Sequence, residues 1–375
     1  MGIAGLVFSK TLRDKGKSFV VIDNPKQGAT KVSGGVLNPT VLKRFTPAWN
    51  TVEFVLKAAP FYESLARDIG QQVLYGVAIH RILASIEEQN NWMVACDKEI
   101  LSRFLSPEIL KNKNTAINAS FGLGAVTQAQ IMRPYALLKT YQDFLENQDL
   151  YIKDQFDYQG LIVSKSFVQY KDVKATRIVF AEGSGVVHNP YFTLDVSPKG
   201  KKVFVGNKGE YIIIKAPGLQ SQAILKGPVM VIPLGDDLYK VGASYGRDDY
   251  STNTTLVACE EISAKLSKMI SCDFSVVDQV TGIRPTVKDR KPLVGCLQNS
   301  KSVSFLNGLG TRGLTMAPGL AGHLYDYLEN DVQIPELIDI QRFAEGAVGF
   351  RSLIFRPCPC QKKRKNLSKC FLILL

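Results

Sequence analysis

The strongest constraint lies in the first 23 residues, where a glycine turn, a helix, a strand and an acid follow one another. "GIAG" occupies Gly2 to Gly5, and Ile3, Leu6, Val7 and Leu12 fall at spacings that suit one helical face, closed by Gly16. "SFVVID" then reads as a buried strand ending in Asp23, with "NPKQG" as the turn after it.

That order matches the back half of a dinucleotide-binding βαβ unit. Gly2, Ile3, Ala4 and Gly5 fill the last four positions of a G-x-G-x-x-G turn, and nothing in the sequence supplies the strand that normally precedes it. Small residues there let a pyrophosphate approach backbone N–H groups at a helix start, where the dipole favours negative charge. Asp23, about 20 residues on, stands where such folds hydrogen-bond a ribose. Taken alone, the same residues also describe a plain amphipathic helix followed by a strand.

Composition narrows the classes. The chain has 375 residues, 45% hydrophobic and 21% charged, which excludes a disordered chain and allows more than one core. Its net charge is +12, but seven cations and no acids lie in the last 25 residues, leaving +5 on the rest. A nucleic-acid-binding protein without redox chemistry is therefore disfavoured. Seven cysteines show neither metal spacing nor a disulfide framework, which predicts a reducing, cytoplasmic setting and no metal site. His80, His188 and His323 have no Ser, Cys or second His at catalytic spacing and are not nominated. No targeting segment is read, and the terminal "FLILL" is too short to span a bilayer.

Further along, Gly34 and Gly35 stand adjacent in "KVSGGVLNP", a pattern that fits either a flat ligand lying on bare backbone or a flexible turn. Near the C-terminus come "TGIRPTVKDRKPLVG" (281–295) and "SFLNGLGTRGLTMAPGLAGHLYDYLE" (304–329). The second is strand, glycine loop, then helix, so Gly308, Gly310 and Gly313 offer another set of helix-start N–H groups. With "GIAG", "VVID" and "SGG", these stretches resemble the flavin-dependent amino-acid oxidase family, which includes D-amino-acid and glycine oxidases. The resemblance runs from residue 2 to about Phe343 and is weaker in the middle.

The resemblance implies an α/β fold: a Rossmann-like FAD-binding domain on a parallel sheet lacking its first strand, and a second α+β substrate domain on a largely antiparallel sheet. It implies FAD as cofactor, with Gly2, Ile3, Ala4 and Gly5 at the pyrophosphate, Asp23 at the adenosine ribose, and Gly34 and Gly35 beside the isoalloxazine. Gly183, after the strand in "ATRIVFAEGSG", would pass close to FAD, and Gly308, Gly310, Thr311 and Gly313 would form the loop at the flavin's pyrimidine edge. Arg284, in an I-R-P context, matches the arginine that grips a substrate carboxylate, a task suited to a planar, permanently charged guanidinium. Arg312 and Tyr245 match a second substrate-placing arginine and a wall of the substrate pocket. The implied reaction is hydride transfer from the C–N-bearing carbon of a small amine or amino acid to flavin. Alternatives are a flavin module that modifies carboxymethylaminomethyl groups on a tRNA wobble uridine, and an inactive, N-terminally truncated flavoprotein.

The expected domain plan is discontinuous. Residues 1–50, 123–190 and 284–343 would bind FAD, residues 51–122 and 191–283 would form the substrate domain, and residues 344–375 would be a disordered or artefactual tail. Within the middle, "EFVLKAAPFYESLARDIG" and "QIMRPYALLKTYQDFLENQ" read as helices, and "LYGVAIHRIL", "NWMVAC", "GEYIIIKAP" and "GPVMVIPLGDDLYKVGASYGRDD" as strands.

Overall fold

The computed structural model describes residues 1–24, 28–194, 202–297, 301–344 and 370–375. The chain divides into two compact units: Met1–Lys31, Tyr135–Gly206 and Arg284–Leu375 in one, Val32–Pro134 and Asn207–Ile283 in the other. The boundaries differ from the expected plan, because 32–50 and 123–134 join the second unit and the stretch from 191 to 206 joins the first. There Val36–Leu37 pairs antiparallel with Gln130–Ile131, a contact no local pattern announces.

The first unit is built on a six-stranded sheet. Its long helices are α1 (Ile3–Asp14), α2 (Pro134–Glu146) and α3 (Gly313–Asn330). Its strands are β1 (Ser18–Asp23), β2 (Tyr151–Lys153), β3 (Arg177–Phe180), β4 (Leu293–Gly295), β5 (Val303–Asn307) and β6 (Cys370–Leu374), in the order β2-β1-β6-β3-β5-β4. All neighbours are parallel except β4 and β5. Helix α1 buries nearly its whole surface, since Leu6, Val7, Phe8 and Leu12 are fully enclosed and it packs along α3. Gly16, at φ +63°, ends it in the left-handed conformation that favours glycine.

Strand β6 overturns part of the expected tail. Residues 345–369 lie outside the described residues, but Cys370–Leu374 is neither irregular nor peripheral: it fills the place between β1 and β3. Phe371, Leu372, Ile373 and Leu374 are all buried. The parallel sheet is thus not short of a strand beside α1. An unbroken apolar run is what a strand covered on both faces requires.

The second unit is α+β on a nine-stranded, largely antiparallel sheet. Phe204–Lys215 and Met230–Gly235 both pair antiparallel with Leu238–Gly242, and Ile79–Ile82 does so with Leu123–Val126. One pair, Ile224–Lys226 with Ile79–Ile82, is parallel. Asp236 and Asp237 turn the 230–242 hairpin with φ +52° and +59°, the signs a tight two-residue turn demands. Beneath it Ile212, Ile214, Leu225, Val231, Val241 and Leu266 form a core.

"NWMVAC" is not a strand but the second half of the helix Ile86–Cys96. Ser85 caps that helix by accepting from the Glu88 amide at 3.1 Å, while the Glu88 carboxylate accepts from the Ala84 amide at 2.6 Å. Trp92, Ala95 and Cys96 then fall on one buried face. Helical spacing outweighs the strand preference of Trp92 and Val94.

Candidate functional site

In the first unit, β1, β3 and β5 run the same way, so their carboxyl ends share one edge of the sheet. Asp23 ends β1, Gly183 follows β3 closely, and Gly308 follows β5 directly. The carboxyl edge of a parallel sheet is where α/β folds bind ligands. Further contacts draw the predicted residues together there.

Asp23 is 2% exposed, and its carboxylate accepts from the Met1 amine at 2.5 Å and from the Tyr151 hydroxyl. Burial, and then the bond to Asp23, push the Tyr151 phenol upward. Next to it α1 begins: the Ile3 amide donates to Thr30 Oγ1 at 3.2 Å, and a Cβ on Gly2 would meet only that oxygen, at 3.9 Å. Gly313, at the start of α3, stands so close to Ile3 that a Cβ would lie 3.2 Å from its Cγ2. The two helix starts are therefore neighbours.

Asn307, which sequence reasoning passed over, ties the other two loops. Its amide nitrogen donates to the Gly183 carbonyl at 2.9 Å while its side-chain oxygen accepts from the Gly308 amide at 2.8 Å. Gly310 donates its N–H to the Pro285 carbonyl at 2.9 Å, which anchors the 308–313 loop to the residue after Arg284. Arg284 itself is half-buried in the strand Ser275–Val287. Thr311 is exposed, and Arg312, half-buried ahead of α3, has its guanidinium pKa lowered by burial.

The glycines divide by what a side chain would meet. Gly183 and Gly310 have φ of +56° and +54° and open space above them. At Gly308 a Cβ would lie 2.7 Å from Val287 Cγ2, and at Gly5 it would lie 1.8 Å from Leu375 Cδ2. Gly5 is therefore covered by the Leu375 side chain and Gly308 by Val287 and Leu293, whereas Gly2, Gly183 and Gly310 leave backbone bare. Bare backbone at a helix start, beside a buried carboxylate, is the donor and acceptor set that a dinucleotide's pyrophosphate and ribose require. The residues present fit FAD.

Glu182 also escaped sequence reasoning. Its carboxylate accepts from the Tyr158 hydroxyl and from Asn189 Nδ2 at 2.6 Å, and burial pushes its pKa up to about 7 against the pull of both bonds. An acid directly before a glycine was the available signal.

The second unit holds Gly34, Gly35 and Tyr245. A Cβ on Gly34 would lie 2.4 Å from Ile232 Cδ1, and one on Gly35, at φ +72°, would lie 2.0 Å from the Met132 carbonyl oxygen. Close approach within the protein thus accounts for the paired glycines. Lys240 holds the same loop: its ammonium donates to the carbonyls of Val32 at 3.1 Å and Ser33 at 3.3 Å, and burial lowers its pKa. Tyr245 is 60% exposed and lies past the end of Leu238–Gly242 rather than within it.

Among the described residues no helix is long and apolar enough to cross a membrane. Three solved structures show the same fold. Glycine oxidase from Bacillus cereus ATCC 14579 is 14% identical, with TM-score 0.71 over 94% of this chain and 98% of that one. L-proline dehydrogenase from P. horikoshii is 15% identical, with TM-score 0.72 over 93% and 97%. Iminodiacetate oxidase from Chelativorans sp. BNC1 is 17% identical, with TM-score 0.68 over 90% and 96%. The family model for FAD-dependent oxidoreductases matches residues 1–327, so this chain belongs to the FAD-dependent oxidoreductase family and takes FAD as its cofactor.

Proposed function

We propose that this FAD-dependent oxidoreductase oxidises the C–N bond of a small amine that carries a carboxylate. The observation that carries the reading is the hydrogen bond from Gly310 to the Pro285 carbonyl, which holds the residue after Arg284 against the glycine loop that leads into α3. The solved structures of similar fold include enzymes named for glycine, proline and iminodiacetate, all of which combine nitrogen with carboxylate.

In this reading Asp23 would accept from the ribose, Gly2 and Ile3, with Gly183, would border the pyrophosphate at the start of α1, and Gly5 would support that turn from behind by packing on Leu375. Gly308 to Gly313 border the flavin. Bound FAD supplies the hydride acceptor. Arg284 pairs with the substrate carboxylate through its two parallel N–H donors, and Arg312 adds positive charge at the same edge. Orientation supplies most of the rate, because a substrate pinned by its carboxylate has little freedom left to lose. Partial positive charge at the first turn of α3 favours electron density arriving nearby. We extend the proposal to Gly34 and Gly35 toward the flavin ring and to Tyr245 toward the substrate; Tyr245→Ala tests the last by a change in KM.

We assign FAD to the unit that contains β1 to β6 and substrate discrimination to the other. A cytoplasmic setting suits the thiols, since Cys96, Cys259, Cys272 and Cys296 are all free. The test is anaerobic titration of the flavin-loaded protein with glycine, N-methylglycine, proline and iminodiacetate. Bleaching of the visible flavin absorbance by at least one is expected. A loaded protein bleached by dithionite but by no amine, and binding tRNA with a steep salt dependence, would favour the wobble-uridine reading instead.

A further inference from the structure

Strand β6 touches the candidate FAD site at three points. The Leu375 amide donates to the Ile22 carbonyl at 3.1 Å, one residue before Asp23. Ala181 donates its amide to the Leu374 carbonyl at 2.8 Å, two residues before Gly183. The Leu375 side chain covers Gly5, where a Cβ would lie 1.8 Å from Cδ2.

The strand also closes the sheet beneath the site. Ser18 to Ile22 pair with Cys370 to Leu374 on one side, and Arg177 to Phe180 pair with Phe371 to Leu374 on the other. The Phe371 ring meets Phe8 of α1 edge-on at 6.0 Å. Without this segment β1 and β3 would face each other across an empty strand position, with unpaired backbone groups in an apolar interior. Asp23 sits on one lip of that gap and Gly183 on the other.

We propose that residues 370–375 are a docking strand on which FAD binding depends: the slot between β1 and β3 is a strand-binding site, its occupant is this chain's own C-terminal segment, and the cofactor site is assembled only when the segment is seated. The occupant is specified by chemistry. The slot is apolar on both faces and needs an extended run of uncharged side chains in parallel register, and no side chain of "FLILL" carries a charge to desolvate. Backbone pairing on both sides supplies the register, and burial of four consecutive apolar side chains supplies the driving force. The dependence on FAD rests on the reading that the cofactor lies at this carboxyl edge; the docking itself does not.

Two measurements on the folded full-length protein separate these parts. First, Ser18→Cys places a thiol in register with Cys370. Treatment with a short bis-maleimide is expected to join the peptides carrying residues 18 and 370, as read by mass spectrometry. Failure to join them, when a denatured control shows both thiols to be reactive, overturns the docking.

Second, a specific protease site is placed within residues 345–369 and cut in the FAD-loaded protein. The C-terminal fragment is expected to remain with the body on gel filtration, and rising urea should release fragment and flavin in one step. A synthetic peptide of residues 361–375, added at tenfold excess during dilution from urea, should restore flavin fluorescence quenching to the cut body. A fragment that leaves while FAD stays bound overturns the dependence. A protein that forms the 18–370 link yet loads no FAD refutes the reading of the site while leaving the strand in place.

Discussion

The carboxyl of Glu182 offers a sharp test of how this edge of the sheet is built. Its pKa is pushed from an unfolded value of about 4.5 to about 7 in the folded chain, chiefly by burial. Because the folded-state value is the higher one, the unfolded chain loses its proton first as pH rises. The contribution of Glu182 to stability is therefore fully present below about pH 4.5, is lost between about pH 4.5 and 7, and stays absent above that. A shift of about 2.5 units is worth about 3 kcal/mol at 1.36 kcal/mol per unit, and residual solvent contact trims this to about 2–3 kcal/mol. Glu182→Gln removes the titration and keeps the hydrogen-bond pattern of the protonated acid: the new Oε1 accepts from Asn189 Nδ2, whose direction is set because Asn189 Oδ1 accepts from the Tyr191 amide at 2.8 Å, and the new Nε2 donates to the Tyr158 hydroxyl oxygen. The variant should thus match the parent within about 1 kcal/mol at pH 5 and exceed it by about 2–3 kcal/mol at pH 8. The assay is urea unfolding of both proteins at half-unit intervals from pH 4.5 to 8, reading the difference so that every other titrating group cancels. A difference constant within about 0.5 kcal/mol across that range would refute the argument that Glu182 is protonated when folded at low pH and strained when charged.

Three further outcomes follow from the geometry. Arg284→Lys should leave FAD bound while kcat/KM for a carboxylate-bearing amine falls by about 1–3 kcal/mol in transition-state terms, since an ammonium cannot reproduce the bidentate fork; unchanged steady-state kinetics on every reactive substrate would remove Arg284 from the site. Asp23→Asn should weaken FAD binding roughly tenfold, about 1.4 kcal/mol, in a fluorescence titration, because the acceptor capacity for the ribose is halved; an unaltered affinity would place the ribose elsewhere. Gly35→Ala should destabilise the chain by about 2–4 kcal/mol in chemical denaturation, combining a left-handed φ with a Cβ driven against the Met132 carbonyl, and a change below about 1 kcal/mol would show that the loop relaxes freely.

Local signals carried much of the architecture. Helix α1, strand β1 and the acid that ends it follow from periodicity and turn residues within 23 positions, and so does the glycine loop leading into α3. The antiparallel hairpin at 230–242 is announced by two aspartates between apolar runs. Helix Ile86–Cys96 was legible too, in its Ser85 and Glu88 capping pair, but the β preference of the residues after it concealed the signal. Glu182 and Asn307 gave only faint signals, because a buried acid and a tethering amide look like ordinary polar residues until their partners are known.

Sequence alone determined that this chain would place glycine turns at the starts of two helices and an acid at the end of a strand, because turn chemistry and a 3.6-residue period act over neighbours. Tertiary structure alone decided which glycines face packed protein and which stay bare, since the atoms crowding Gly5, Gly34 and Gly308 come from residues far along the chain. It also decided the place of the last apolar run. Nothing within "FLILL" encodes a parallel partner more than 300 residues away at Ser18 to Ile22; only the gap between β1 and β3, apolar on both faces and lined with unsatisfied backbone, selects it.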